Sequence, residues 1–393
     1  MGEAESIYQL EALCTFTRGV TFSKKDQLPD DRGIGILRSH NVVFEDNKVS
    51  LHNLMYVKDT VRVKDEQRLK KDDLLISISN SKEQTGKLGI SPNDTDLYIG
   101  GFMAIIRAEP LINPYFLFLN LSTKRFKSFI SGRNQGTTNI WNITFNRIKD
   151  FEIPLPPLGE QKRIAALFQS IDAAIEQAEE QEKNLVALCT KLATELVCID
   201  AQFGNLLHSK NCKPSTLGQI AKETRENSKT PLEEGIVRFV GLEHIESGKL
   251  SIQGWGNVAD GTTFTKVFQV GDVLFGRRRA YLKKAAQADF KGLCSGDITV
   301  LRANEKLILP DLLPYYLSAD PVFDFAVSNS AGSLSPRAKW RDLSKYEITL
   351  PDLTTQEKIL EVFKLLDKNI NENRAQFSTL KKLKQKLLDE ILG

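Results

Sequence analysis

Long apolar runs are missing from this chain of 393 residues. No stretch reaches the roughly 18 consecutive apolar residues that a membrane-spanning helix requires, so we expect no contact with a membrane. The first residues are acidic and lack the apolar core of a secretory signal peptide. These absences lead us to expect a cytoplasmic protein.

Cysteine and histidine are scarce, and neither is arranged for chemistry. The five cysteines include no C-x-x-C pair and are odd in number, which favours reduced structural thiols over a disulfide framework. The four histidines are scattered and form no metal-ligand spacing, so the sequence predicts no metal site. These residues are Cys14, Cys189, Cys198, Cys212, Cys294, His40, His52, His208 and His244.

Catalytic motifs are missing as well. The chain has no GxxxxGK[ST] phosphate loop, no GxGxxG after a strand and no GxSxG nucleophile elbow. A basic run, GRRRAYLKK from Gly276 to Lys284, has no acidic partner nearby in the sequence with which to form an active site. We therefore expect a binding or organising protein that is not an enzyme and holds no cofactor of its own.

An internal repeat is the clearest feature that is present. The segments that begin at Phe151 and Tyr346, 195 residues apart, are identical at 10 of 26 positions without a gap. A period this long exceeds that of solenoid repeats and implies two copies of a whole domain. The identical pairs are Glu152/Glu347, Ile153/Ile348, Leu155/Leu350, Pro156/Pro351, Leu158/Leu353, Gln161/Gln356, Ile164/Ile359, Phe168/Phe363, Asp172/Asp367 and Ile175/Ile370.

Net charge follows the same repeat. It is +3 for residues 1–150, −4 for residues 151–197, +4 for residues 198–345 and zero for residues 346–393. Basic segments on a non-basic frame suit a polyanion that touches only those segments. We divide the chain into a first lobe (1–150), a first helical region (151–198), a second lobe (199–345, with a linker at 199–214) and a second helical region (346–393).

Each helical region has the pattern of one long amphipathic helix. Apolar residues recur every three or four positions from about Gly159 to Val197 and from about Thr354 to Leu392, just after prolines. Because a long helix with one apolar face needs a partner, we predict that the two helices pair as a rod between the lobes. The alternative is that each apolar stripe packs on its own lobe.

The lobes have the pattern of mixed α and β structure. Short apolar runs after Asp73 and Asp272, bounded by charge or glycine, predict buried strands. The segments Gly100–Ala108 and Ser295–Ala303 also match at the offset of 195. Likeness is weaker here than in the helical regions, which indicates a fixed frame that carries two variable lobes.

Polar and basic loops follow these strands and precede the helical regions. Arg, Lys, Asn and Gln hold phosphates and read base edges in DNA, and glycines there let the backbone approach a ligand closely. The alternative is an ordinary set of solvated surface loops. The predicted DNA-binding residues are Lys82, Lys87, Arg133, Asn134, Gln135, Arg277, Arg278, Arg279, Lys283, Arg337 and Lys339.

The repeated motif resembles that of a known family. IPLPPLGEQKRIA and, more loosely, ITLPDLTTQEKIL give a strand, an LPxLxEQ-like turn and a long helix, about 200 residues apart. This order resembles the specificity subunit of type I restriction-modification systems, over the whole chain. The second copy has Thr354-Thr355 where the family has a residue followed by Glu, but it keeps Gln356.

The resemblance implies an α+β fold. It consists of two mixed α/β target recognition domains separated by an antiparallel coiled coil of two long helices, in a pseudo-two-fold arrangement. Such a subunit is not catalytic: each recognition domain reads one half of a bipartite double-stranded DNA target, and the coiled coil sets the gap. The structural or partner-docking residues would be Pro156, Leu158, Gln161, Phe168, Pro351, Leu353, Gln356 and Phe363.

The resemblance also implies partners. Two modification (methyltransferase) subunits and the restriction (motor-nuclease) subunits would join the chain, and S-adenosylmethionine, ATP and Mg would be bound on those subunits only. From sequence alone, two other functions stay open. One is a two-lobed coiled-coil scaffold that is not tied to restriction. The other is an enzyme with an unrecognised site, although the chain lacks an NPPY-like methylation motif.

Overall fold

A computed structural model describes residues 6–43, 48–81, 84–133, 135–137, 140–198, 203, 206–207, 210–330 and 336–393. The chain divides into two compact units. The first unit comprises Met1–Gln177 and Phe377–Gly393, and the second comprises Ala178–Gln376. Each unit therefore contains one lobe and a part of each long helix.

In its described residues, the first lobe begins with twelve short strands, and its α-helices follow from Pro114 onward. The strands are β1 Ser6–Gln9, β2 Cys14–Arg18, β3 Gln27–Leu28, β4 Ile34–Leu37, β5 Val42–Val43, β6 Lys48–Val49, β7 Met55–Val57, β8 Leu74–Ser77, β9 Ser79–Asn80, β10 Leu88–Ile90, β11 Tyr98–Ile99, β12 Met103–Ala108, β13 Gln135–Thr137, β14 Ile140–Asn142 and β15 Glu152–Leu155. The helices are α1 Pro114–Ser122, α2 Lys124–Arg133, α3 Phe145–Ile148 and the first long helix α4, Leu158–Val197.

The second lobe repeats this plan. Its strands are β16 Cys212–Thr216, β17 Ala221–Glu223, β18 Arg238–Val240, β19 Gly256–Asn257, β20 Lys266–Phe268, β21 Val273–Gly276, β22 Ala285–Gln287, β23 Gly292–Cys294, β24 Ile298–Ala303 and β25 Glu347–Pro351. Its helices are α5 Leu217–Ile220, α6 Leu313–Ser318, α7 Asp320–Ser328, α8 Trp340–Leu343 and the second long helix α9, Leu353–Leu392. Residues 212–214, which we placed in the linker, form part of β16.

Both lobes contain the same four-stranded antiparallel sheet. Its order is β10-β8-β12-β2 in the first lobe and β22-β21-β24-β17 in the second. Each lobe adds a second four-stranded sheet with one parallel pair, β11 with β4 or β23 with β18. Short two-stranded sheets, β1 with β15 and β16 with β25, join the beginning of each lobe to its end. The repeat therefore extends through the sheet topology.

A buried ion pair stabilises the main sheet of each lobe. Arg107 on β12 binds Asp73 through two hydrogen bonds of 2.7 Å, and Arg302 on β24 binds Asp272 through bonds of 2.7 and 2.8 Å. Both aspartates are almost completely buried. A two-bond arginine–carboxylate pair fixes geometry as well as charge, so it holds the turn before β8 or β21 against the neighbouring strand.

The long helices begin one residue before the predicted starts and end at the predicted residues. They pair antiparallel within each unit: Asp172 binds Lys384 at 2.5 Å in the first unit, and Glu182 binds Arg374 at 2.6 Å in the second. Moving ten residues forward along α4 thus moves ten residues back along α9, which confirms the antiparallel pairing. Neither these helices nor any other in the described part of the chain has an apolar stretch long enough to cross a membrane.

The apolar stripe of each long helix also enters the core of a lobe. Phe168 of α4 is completely buried in the first-lobe core, which Leu388 of α9 joins. Phe363 of α9 lies in the second-lobe core, where its ring stacks on Tyr315 with centroids 3.9 Å apart. Helix pairing and packing on the lobe, which we posed as alternatives, both occur. The fold class that we expected, two mixed α/β lobes with an antiparallel pair of long helices, is confirmed.

Candidate nucleic-acid interface

The basic run of the second lobe forms the hairpin loop between β21 and β22. Gly276 and Lys284 close it with a backbone hydrogen bond of 2.8 Å. Arg279 and Lys283 adopt left-handed backbone angles, with φ of 52° and 49°, on either side of a 3₁₀ turn. Such angles cost a non-glycine residue about 1 kcal/mol or more, and strained positions of this kind cluster at functional sites. The turn exposes more than half of the Tyr281 side chain.

The two loops that we predicted separately in the second lobe meet at this hairpin. Arg278 and Arg337 lie opposite each other in an antiparallel bridge. Backbone hydrogen bonds flank the bridge, from Arg279 N to the Pro336 carbonyl at 3.1 Å and from Ala338 N to the Arg277 carbonyl at 2.8 Å. Residues almost 60 positions apart in sequence therefore form one patch.

A single carboxylate holds both arginines of this bridge. Asp297 accepts hydrogen bonds from Arg337 Nε at 2.8 Å and from Arg278 Nη1 at 3.3 Å. Burial raises the pKa of Asp297, but the hydrogen bonds and charges of Arg337 and Arg278 outweigh burial and leave the pKa below its ordinary value. The carboxylate is therefore ionised at neutral pH. We call Arg278, Asp297 and Arg337 the second-lobe corner.

In the folded chain the basic run has acidic partners, although none lies nearby in the sequence. Besides Asp297, Asp320 binds Lys283 at 2.6 Å. Both aspartates are distant in sequence and reach the run only through folding. Lys339 is exposed at the start of α8, and Arg277 buries its Nε without a hydrogen-bond partner among the described residues.

The first lobe builds an equivalent corner from neutral side chains. Ser79 pairs with Asn142 across strands β9 and β14, and Ile143 N donates to the Ile78 carbonyl at 2.8 Å. Ile78 N in turn donates to the Phe102 carbonyl at 2.9 Å, just as Arg277 N donates to the Asp297 carbonyl at 3.0 Å. We call Ser79, Phe102 and Asn142 the first-lobe corner.

A cavity of about 520 Å³ adjoins the first-lobe corner. Arg18, Arg38, His40 and the exposed Phe102 contribute to its lining. Asn80, next to the corner residue Ser79, is joined to this region because its amide donates to the Ser39 hydroxyl at 3.1 Å. The basic residues Arg18 and Arg38 thus lie at the ends of β2 and β4, whereas the basic run of the second lobe lies between β21 and β22.

The remaining predicted DNA-binding residues belong to the first lobe. Lys82 and Asn134 lie outside the described residues, and for Arg133 and Gln135 the structure gives only the backbone positions, in α2 and β13. Lys87 precedes β10, where burial lowers the pKa of its ammonium group. Their contact with DNA stays a prediction.

The two glutamines of the repeat are buried clamps. Gln161 accepts from Asn113 N at 2.8 Å and donates to the Pro156 carbonyl at 2.9 Å. Gln356 accepts from Leu309 N at 2.9 Å and donates to the carbonyls of Pro351 at 2.9 Å and Leu307 at 2.8 Å. Each side chain satisfies backbone groups of the lobe and of the turn into the long helix.

The other repeat residues divide by exposure. The residues Phe168, Phe363, Pro156 and Pro351 are buried. In contrast, Leu158 and Leu353, the first residues of the two long helices, are 40% and 42% exposed. Exposed leucines at matching positions are suited to a partner surface, whereas the buried residues have structural roles.

A tyrosine–aspartate hydrogen bond recurs at both long helices and was not predicted. Tyr115 of α1 donates to Asp172 of α4, and Tyr315 of α6 donates to Asp367 of α9. Burial first, and then the bonded carboxylate, raise the pKa of both tyrosines. The repeat does contain a sequence signal for this hydrogen bond, because Asp172 and Asp367 are one of its identical pairs.

Metal-ligating and nucleophilic side chains are the remaining groups of interest in the described part of the chain. They contain no group of three or more His, Cys, Asp or Glu side chains that could hold a metal ion. None of the five cysteines, all of which lie in the described part of the chain, forms a disulfide bond, in agreement with the predicted reduced thiols. Burial raises the pKa of Cys14 and Cys294 to about 12. These two groups are therefore protonated at neutral pH and unsuited to act as nucleophiles.

Comparison with known proteins decides the family. A family model for the type I restriction modification DNA specificity domain matches residues 3–186 and again residues 210–381. The chain belongs to the type I restriction-modification specificity family. Its two specificity domains each comprise a lobe and much of the long helix that follows, so the internal repeat is a repeat of this domain.

Similar proteins are named as specificity subunits. The EcoKI specificity subunit of Escherichia coli K12 is 24% identical over 415 residues, which cover 95% of this chain and 86% of that protein. A protein of Methanocaldococcus jannaschii, assigned by name as the MjaX specificity subunit, is 26% identical over 392 residues, with coverage of 93% and 88%.

Solved structures share the specificity-subunit fold. The S subunit of a type I restriction-modification system from M. genitalium aligns with a TM-score of 0.56 and 16% identity, over 98% of this chain and 94% of that chain. A chain from a type I R-M system, solved in a study of its assembly and conformational transition, aligns with a TM-score of 0.60 and 18% identity, over 99% and 98%.

Proposed function

We propose that this specificity subunit reads a two-part DNA target, with one half of the target contacted by each lobe. One observation carries the proposal: both specificity domains build the same corner from the same backbone pairs but fill it with different side chains. Equal frames with unequal side chains suit two unlike half-sites, whereas a symmetric dimer reads a palindrome.

Charge supports DNA as the ligand. In the second lobe, Arg277, Arg279, Lys283 and Lys339 lie in the two loops that form the corner. Basic side chains around such a corner neutralise phosphates and set the register of the protein on the duplex, while the corner itself faces base edges. In the first lobe, Lys82, Lys87 and Arg133 would neutralise phosphates in the same way, and Asn134 and Gln135 would hydrogen-bond to the DNA.

The paired long helices would set the gap between the half-sites. Both helices contribute residues to both units, and the two ion pairs between the helices keep one register. Half-site spacing in DNA readers follows from the fixed geometry of the protein that holds the two reading elements. In this subunit the helix length would have that role.

Other subunits would carry out the reactions. The relatives are named as specificity subunits of type I restriction enzymes, which implies assembly with modification and restriction subunits. We propose that two modification subunits bind, one near each of the exposed Leu158 and Leu353, because these positions are repeated. S-adenosylmethionine, ATP and Mg would be bound by the partner subunits, and this chain would direct them without catalysing a step.

The test is to map where the assembled enzyme methylates DNA. The chain is co-expressed with the modification subunit of its own system in a host without methylation, and modified bases are located by long-read sequencing. We expect one split motif, two short specified sequences separated by a fixed unspecified gap. The modification subunit expressed alone is the control. A continuous motif, or methylation that does not depend on this chain, would contradict the proposal, and the scaffold function would then be favoured.

A further inference from the structure

The two corners correspond residue by residue. The backbone bonds that link residue 78 to residue 102, and residue 277 to residue 297, establish the match between the lobes. A second backbone hydrogen bond in each lobe positions the other loop. Ile143 N donates to the carbonyl of residue 78 in the first lobe, and Ala338 N donates to the carbonyl of residue 277 in the second. Between these bonds, the strand pair of each lobe is in the same register. The matched positions are Ser79 with Arg278, Phe102 with Asp297, and Asn142 with Arg337.

The second-lobe corner presents two arginines in a fixed arrangement. The side chains of Arg278 and Arg337 are 41% and 47% exposed, whereas that of Asp297 is 20% exposed. The mostly buried carboxylate of Asp297 thus offsets the repulsion between the two guanidinium groups and restricts their rotamers, while both guanidinium groups stay accessible. An arginine held in this way is suited to bind the O6 and N7 acceptors of guanine, the most common specific contact in the major groove.

The first-lobe corner has no charged side chain at these three positions. Asn142 is exposed, Ser79 is half-buried, and 71% of the Phe102 side chain is exposed. A carboxamide matches the N6 donor and N7 acceptor of adenine, and an apolar ring contacts the methyl group of thymine. The exposed Phe102 ring is therefore accessible for contact with a thymine methyl group.

We propose that the corner is the base-reading position of each lobe, with G·C read by Arg278 and Arg337 in the second lobe and A·T read by Asn142 and Phe102 in the first. Asp297 is a positioning residue, because it acts through the two arginines. This inference rests on the proposed DNA-reading function and names the base pairs involved.

The first test replaces Arg337 with Gln and repeats the methylation map with the co-expressed modification subunit. We expect one G·C position in one half-site to lose its requirement by about tenfold or more, because a lost bidentate contact removes that much discrimination. The other half-site stays unchanged. Asn142→Ala and Phe102→Ala form the matched set: each relaxes an A·T position in the opposite half-site only. Arg341→Gln, at a nearby side chain that is 80% exposed, should leave both half-sites unchanged.

The second test replaces Asp297 with Asn, which keeps the shape of the side chain and removes its charge. We expect discrimination at the same G·C position to fall about tenfold or more, since the arginines lose their common anchor. Binding of the assembled complex to a duplex without the target should stay equal or rise, because one negative charge near DNA is gone. A residue with only a structural role would lower both properties together with the melting temperature, and that result would overturn the assignment.

These outcomes separate the inference from the function on which it rests. If no split motif exists in the unmodified system, the proposed function itself fails. If a split motif exists but Arg337→Gln weakens methylation evenly at all sites, the arginine contacts phosphate and the inference is wrong. The inference is also wrong if Arg337→Gln relaxes an A·T position, or if Arg337→Gln and Asn142→Ala act on the same half-site.

Discussion

At the scale of single residues, most identical positions of the repeat are buried and have a structural role. Gln161 and Gln356 are buried to 1% and 0% exposure, and each bridges backbone groups from two segments that are far apart in sequence. A buried amide that satisfies several backbone groups is difficult to replace, because any apolar substitute leaves those groups without partners. This accounts for their presence in both copies.

Replacing Gln356 with Leu should destabilise the second unit by about 3 kcal/mol or more, because the Leu309 N–H and two carbonyls lose their partner inside the protein. Hydrogen exchange followed by mass spectrometry is the suitable measurement, since it resolves the two units. Gln161→Leu should have the same effect on the first unit alone. The matched control is Gln253→Leu, at an exposed side chain whose hydrogen bonds in the described part of the chain are all to nearby Ser251. Equal exchange in Gln356→Leu and the control would contradict the clamp assignment.

Residue roles could be predicted from sequence only where the chemistry is local or repeated. The basic character of the GRRRAYLKK run is evident from the sequence, and the repeat identifies the two glutamines. Asp297 was missed because its partners lie 19 and 40 positions away, and because it matches Phe102 in the other lobe. A comparison of the two repeats identifies residues that are shared, so it does not identify a residue such as Asp297 that occurs in one lobe only.

At the scale of elements, the long helices were the most predictable part of the fold. Their apolar spacing and the preceding prolines are local signals, and the observed starts differ from prediction by one residue. The joining of β9 to β14, and the meeting of Arg278 with Arg337, depend on pairing between distant segments. No short-range pattern encodes such pairing, so the sequence predicted the loops but not the corner that they form.

The register of the helix pair allows a matched deletion. Removing residues 177–183 together with residues 373–379 takes one heptad from each helix at positions that face each other, including both members of the Glu182–Arg374 pair. Each helix shortens by about 10.5 Å, so we expect the unspecified gap of the target to shorten by about three base pairs. Both half-sites should keep their sequences in the methylation map.

The matched control keeps the length and removes only the ion pair. Glu182→Gln combined with Arg374→Gln should leave the gap unchanged, because the number of residues in each helix is unchanged. A deletion variant that is folded and active but methylates sites with the original gap would show that the helices do not set the spacing. Altered half-site sequences would show that the deletion disturbed the lobes instead.

At the scale of the whole molecule, one chain contains two copies of a specificity domain. The copies share sheet order, the buried arginine–aspartate pair, the glutamine clamp and the tyrosine–aspartate bond. They differ in the corner and in the placement of basic groups. Shared framework and different corners indicate that each lobe is a separate reader, so exchanging a lobe should exchange only its half of the target.

The most direct measurement of this account is the methylation map of a chain with two first lobes. Residues 212–346 are replaced by a copy of residues 6–151, so that the strand β1 pairs with β25 in place of β16, and the chain is co-expressed with the modification subunit. The account predicts a palindromic split motif made of the first-lobe half-site and its inverted copy. A folded, active variant that keeps the original asymmetric motif, or that reads a target with neither half preserved, would contradict the claim that each lobe reads its own half.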